Sequence, residues 1–106
     1  MEKHQIFNSI ITFVENERWK YSFLLNRNTR IVQDLKIDGD DAVEFMEKFV
    51  STFNIDYSEF QFGNYFSPEG LNLFSVIISF FKKKQIIKKT LTLGDLERAV
   101  IIGKIK

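Results

Sequence analysis

Residues 34–45 read DLKIDGDDAVEF, and the fold turns on how this stretch is read. Four aspartates, Asp34, Asp38, Asp40 and Asp41, crowd around Gly39, and an apolar periodicity follows at once. Val43, Met46, Phe49 or Val50, and Phe53 recur at helical spacing, which predicts an amphipathic helix over 40–53. Asp38 and Asp40 suit its N-cap, since a short side-chain oxygen accepts from the free N–H groups of a first turn. Carboxylates there also favour the positive end of the helix dipole. Capping needs one or two acids, yet Asp38, Asp40, Asp41, Glu44 and Glu47 continue as a row. The surplus is the feature that asks for a function.

Outward from that helix, Ile6, Ile10, Phe13 and Val14 predict a first amphipathic helix over 3–16. Residues 18–33 alternate only in part, and Asn26-Arg27-Asn28 reads as a turn. A long ordered loop anchored by apolar side chains is expected there, with room for a short strand or helical turn. The stretch 54–66 reads as a turn followed by aromatics, with a short helix near 58–65. Ser67-Pro68-Glu69 resembles a helix start. The run Leu71 to Phe81 is nearly all apolar, readable as helix or strand with helix favoured, and is closed by Lys82-Lys83-Lys84. At about half the ~20 residues needed to span a bilayer, it does not read as a membrane helix. Thr92-Leu93-Gly94-Asp95 is a capping-box pattern with Asp as its acid, opening a last helix with Leu93, Leu96, Val100 and Ile101 on its apolar face. Gly103 can end it.

The expectation is one all-α domain over 1–106: a bundle of four to five helices with a long loop after the first and an apolar insertion before the last. The chain has 106 residues, 44% hydrophobic and 27% charged, enough to build a core. Twelve phenylalanines point to a core filled by aromatic rings, with Phe45, Phe49, Phe53, Phe60, Phe62, Tyr65 and Phe66 its expected members. The absence of cysteine excludes disulfides, thiolate metal sites and a cysteine nucleophile. Nothing in MEKHQIFNSIITFVENER reads as a signal peptide, so a cytoplasmic location is expected. Net charge is +1, but its distribution is uneven. Residues 34–59 hold eight acids and two bases, net −6, and the remainder is net +7. Such a dipole bears on association rather than on fold.

The motif at 34–40, Asp34-Leu35-Lys36-Ile37-Asp38-Gly39-Asp40, resembles the Asp-Leu-Gly-x-Asp-Ser-Leu run that opens the second helix of acyl carrier proteins. The likeness continues through Asp41, Val43 and Glu44 to Phe53-Asn54-Ile55-Asp56-Tyr57, which resembles the family's Phe-x-Ile-x-Ile end of that helix. Thr29 stands where the family often has a threonine, and Thr90 to Leu96 resembles the family's approach to its last helix. The stretch 67–89 has no counterpart. An Asp-Gly-Asp-Asp variant of the motif marks a bacterial branch of that superfamily, which this chain resembles. The resemblance implies a helical carrier fold whose acidic second helix docks on basic partner surfaces. It also implies a serine carrying phosphopantetheine, and here that position is Gly39, which has no side-chain oxygen. No arm can be attached at Gly39, and Asp38, Asp40 and Asp41 cannot form that ester. No cofactor is therefore expected.

The residues expected to bind a partner are Asp40, Asp41, Val43, Glu44 and Glu47, against a protein with a basic surface. The bland alternative is a solvated, well-capped helix. A calcium loop beginning at Asp34 places Gly39 correctly, but puts Lys36 at the third ligand and Phe45 at the twelfth, so no metal site is expected. His4 is the single histidine and has no ligand or triad pattern around it. Ser51, Ser58 and Ser67 are the hydroxyls left to a carrier modified elsewhere. Lys82-Lys83-Lys84 with Lys88-Lys89 could serve nucleic acid or an anionic membrane, or self-association of basic end against acidic helix, or simply cap the apolar run. No nucleic-acid or membrane partner is expected, and a homodimer stands as an alternative. With no nucleophile–base pair, phosphate loop or ligand set, the chain does not read as an enzyme.

Overall fold

The computed structural model describes residues 3–66 and 89–106. These residues form three α-helices, α1 (Lys3–Glu17), α2 (Gly39–Thr52) and α3 (Leu93–Ile102), with a 3-10 turn at Phe62–Asn64 and no β-strand among them. The class is all-α. The predicted helix near 58–65 is reduced to that 3-10 turn, so the described residues hold three helices and not four or five. The readings of Ser67-Pro68-Glu69, Leu71 to Phe81 and Lys82 to Lys88 lie outside the described residues.

α1 buries Ile6, Phe7, Ile10, Phe13 and Val14 on one face, at the spacing a 3.6-residue turn requires. That face packs on α3. It meets α2 through aromatic rings, with Phe13 lying 5.3 Å from Phe45, 6.0 Å from Phe49 and 5.8 Å from Phe53. These rings set the rotation of α2. Its buried face is Ala42, Phe45, Met46 and Phe49, which keeps Met46 and Phe49 of the predicted stripe and corrects the rest: Val43 stands 42% exposed, and Val50 and Phe53 are half-buried. On α3 the buried positions are Leu93, Leu96, Glu97 and Ala99, whereas Ile101 is exposed. In both helices an alanine, Ala42 and Ala99, takes a buried position.

The long loop between α1 and α2 is ordered by its hydrogen bonds. Ile31 N donates to Leu91 O (2.9 Å), Leu93 N to Thr29 O (2.9 Å) and Gly94 N to Arg27 O (2.9 Å). Arg30 and Thr92 thus form an isolated antiparallel bridge. Thr29 is buried, and its hydroxyl accepts from Asn26 N at 2.8 Å, closing the turn seen in the sequence. Leu25, Ile31, Leu35 and Ile37 fill the space beneath, and the Tyr21 hydroxyl donates to Leu35 O. Arg27 grips Glu97 of α3 with two hydrogen bonds, 2.7 and 2.9 Å, while its guanidinium lies 4.6 Å over the ring of Phe7.

α3 begins with the predicted capping box: Thr92 Oγ1 accepts from Asp95 N, and Asp95 Oδ2 accepts from Thr92 N. It ends at Gly103 in the left-handed region, φ +86°, a conformation glycine adopts without strain. The chain then runs beside residue 56, with Asp56 N donating to Gly103 O and Ile105 N to Asp56 O. This parallel bridge ties the segment after α2 to the segment after α3.

Candidate partner-docking face

α2 starts where Asp38, in extended conformation, turns the chain, its Oδ1 accepting from Gly39 N at 2.9 Å. Gly39 is buried with φ +60°, again in the left-handed region. A residue with a Cβ adopts that conformation at a cost of roughly 1–2 kcal/mol. The backbone at position 39 thus favours glycine. Asp40 follows in the first turn and is exposed, so of the two N-cap candidates only Asp38 caps.

The five residues predicted to bind a partner divide into two sets. Asp41 is held by Arg18 at 3.3 Å, and Glu44 shares Lys48 with Glu17, at 3.4 and 3.1 Å. These acids are partly neutralised by their own chain. The hydrogen bond that Lys48 donates to Glu17, then the charge of Glu17, then Glu44 hold the Lys48 ammonium above its ordinary range. Asp40 and Glu47 have no ion-pair partner among the described residues, and with Val43 they form the uncompensated part of the row.

Beside them opens an apolar groove of about 650 Å³, formed by Val43, Met46 and Val50 of α2 facing Tyr57, Phe60 and Phe62, with Glu47 on its rim. Ser51 and Asn54 also line it. Tyr57 is 61% exposed. This wall corrects the expected aromatic core. Phe45, Phe49 and Phe66 are buried, whereas Phe53, Phe60, Phe62 and Tyr65 are only half-buried at its edge. The chain turns out of α2 at Asn54, φ +56°, and buries Ile55 beneath, which swings the following aromatics outward. Asn54 and Asp56 were the signal in the sequence, since Asn tolerates that region and Asp56 accepts from Ser58 N to make an Asx turn.

The remaining candidates are scattered. Asp34 is engaged by Arg30, through its backbone N–H at 2.8 Å and its guanidinium at 2.9 and 3.1 Å. The guanidinium, then the backbone bond, hold its carboxyl below the usual range. No three acidic or histidine side chains among the described residues converge as a metal site. His4 is exposed on α1, and Ser51 and Ser58 are exposed and apart from the start of α2. Lys89 is exposed, and the rest of the lysine tract lies outside the described residues. No helix among them is long and apolar enough to cross a membrane.

The architecture is that of a small helical protein with an acid-rimmed apolar groove on one helix. Over residues 3–105 the chain matches the family described as protein of unknown function, DUF1493, and it belongs to that family. No curated protein and no solved structure matches it.

Proposed function

We propose that this chain is a non-enzymatic, cytoplasmic protein with an acyl-carrier-like bundle of four to five helices, acting by docking α2 on a basic protein surface. One observation carries the reading. Asp40 and Glu47 are exposed and have no ion-pair partner among the described residues; Glu47 lines an apolar groove together with the exposed Val43, and Asp40 stands one helical turn before Val43 on the same helix. Acids around an apolar patch steer and orient a basic partner, while the groove supplies area to desolvate. Gly39, in a left-handed conformation and without an oxygen, supports a carrier-like surface that has given up the carrier's arm.

The test is affinity purification of the chain from its native cell, with intact-mass measurement of what is recovered. An unmodified mass is expected, together with a co-purifying protein that is lost on Asp40→Lys with Glu47→Lys and in high salt. A mass raised by phosphopantetheine, or capture indifferent to the charge reversal, overturns the reading.

A further inference from the structure

A second groove lies next to the first. It holds about 410 Å³, is floored by Leu91, Ala99 and Ile105, and is bordered by Lys89, Arg98 and Lys106. Ile102, 65% exposed, lines it, and Ile101, 48% exposed, precedes it at the same helix end. Lys89 and Lys106 have no ion-pair partner among the described residues, and Arg98 has only an exposed contact with Asp95 at 3.2 Å. Lys104 and one acid, Asp95, also line this groove, so its lining is net basic, whereas Glu47 is the only charged residue among the described residues lining the α2 groove.

The wall between the two is a pair of stacked rings. Phe60 lines the acidic groove and Tyr65 the basic one, with centroids 5.3 Å apart and planes 4° from parallel. Lys104, which lines the second groove, is held at 2.7 Å by Glu59, the residue before Phe60. The two grooves therefore share this wall. Each exposes apolar side chains, and the charges without an ion-pair partner among the described residues are of opposite sign: Glu47 in the first groove, with Asp40 one helical turn before Val43 on α2, against Lys89 and Lys106 in the second.

We propose that the chain forms a two-fold dimer in which the acidic α2 groove of each copy meets the basic α3 groove of the other. A two-fold axis pairs unlike patches twice, since residue i meets j and j meets i. Because the grooves adjoin, one axis beside the Phe60–Tyr65 wall satisfies both contacts and closes the assembly at two copies. The arrangement covers Val43, Tyr57 and Ile102 together and neutralises four charges per copy. This rests on the reading of α2 as a docking face and names its basic partner as a second copy of the chain.

The test is sedimentation velocity of the full chain from about 1 µM to several hundred micromolar, a range that reads dissociation constants in the micromolar regime. Two variants accompany it, Asp40→Lys with Glu47→Lys and Lys89→Glu with Lys106→Glu, their folding checked by circular dichroism. The unaltered chain is expected to dimerise at low salt and to dissociate as salt screens the contacts. Each variant alone should bind itself at least ~10-fold more weakly, as like charges then face each other. A 1:1 mixture should recover a heterodimer by native mass spectrometry, because both of its contacts are then complementary.

A chain that stays monomeric throughout, or a dimer that neither reversal weakens, overturns the proposal. If the chain is monomeric while the α2 reversal still abolishes capture of a different basic protein, the second copy falls and the docking face stands. If the α2 reversal alters neither self-association nor capture, both fall.

Discussion

The ring of Phe60 lies flat against that of Tyr65, 5.3 Å away, and the Tyr65 hydroxyl donates to the backbone carbonyl of Lys106 at 3.0 Å. One stacked pair thus separates the two grooves and anchors residues 104–106 to the segment after α2. Phe60→Ala should cost about 1–2 kcal/mol, the stacking term plus part of the lost burial, with Tyr65→Phe milder. Denaturant unfolding of the two variants measures this.

The Tyr65 phenol is held above its ordinary range, first by burial and then by the charge of Asp95. The folded state therefore disfavours the phenolate. The corresponding stability is intact below the unfolded tyrosine pKa and is lost as pH rises through the higher folded value. Ultraviolet titration of the chain against Tyr65→Phe should show one phenol ionising late, and Asp95→Asn should bring that midpoint down.

At the acid end the sign reverses. Arg30 lowers the Asp34 carboxyl, the Ser58 backbone N–H lowers Asp56, and the Lys104 ammonium lowers Glu59. Their contribution is present above the ordinary carboxylate values, about pH 4, and is lost as pH falls through the depressed ones. Carboxyl-carbon NMR titration should place these three midpoints below those of free side chains, and Arg30→Ala should return Asp34 toward the ordinary value.

Helix rotation makes Val43 and Phe49 opposites. Phe49→Ala removes a fully buried ring and should cost about 3–5 kcal/mol. Val43→Ala should leave stability within about 0.5 kcal/mol while weakening self-association. Equal losses of stability in the two variants, read from thermal melts, would contradict the assigned face of α2.

Three positions test the backbone. Gly39→Ser should destabilise by about 1–2 kcal/mol, and Gly39→Asn by less, because asparagine tolerates the left-handed region. Gly94 lies so close to the long loop that an added Cβ would stand 2.9 Å from Arg27 O. Gly94→Ala should therefore cost about 1–3 kcal/mol by forcing loop and helix apart. Arg27→Ala should lower the melting temperature by leaving the Glu97 carboxylate buried without its guanidinium, and adding Glu97→Leu should recover part of the loss.

What could be read from the order of residues was whatever depends on neighbours in the chain. The three helices and the caps at Asp38, Thr92 and Gly103 follow from periodicity and turn chemistry, which act over three to five residues. The acidic row is equally local, since helical spacing alone places Asp40, Glu44 and Glu47 along one side. Tertiary packing decided the rest. Phe13, more than 30 positions before its partners, set the rotation of α2 and so turned Val43 outward and Ala42 inward. Contacts with Arg18 and Lys48 decided which acids stay uncompensated. The bridge between Asp56 and Lys104, 48 positions apart, tied the segment after α3 to the segment after α2, whose Phe60 and Tyr65 stack between the two grooves. Periodicity reports which residues share a face. Only the competition among all faces for the same buried volume decides which face is turned inward and which charges are left to meet a partner.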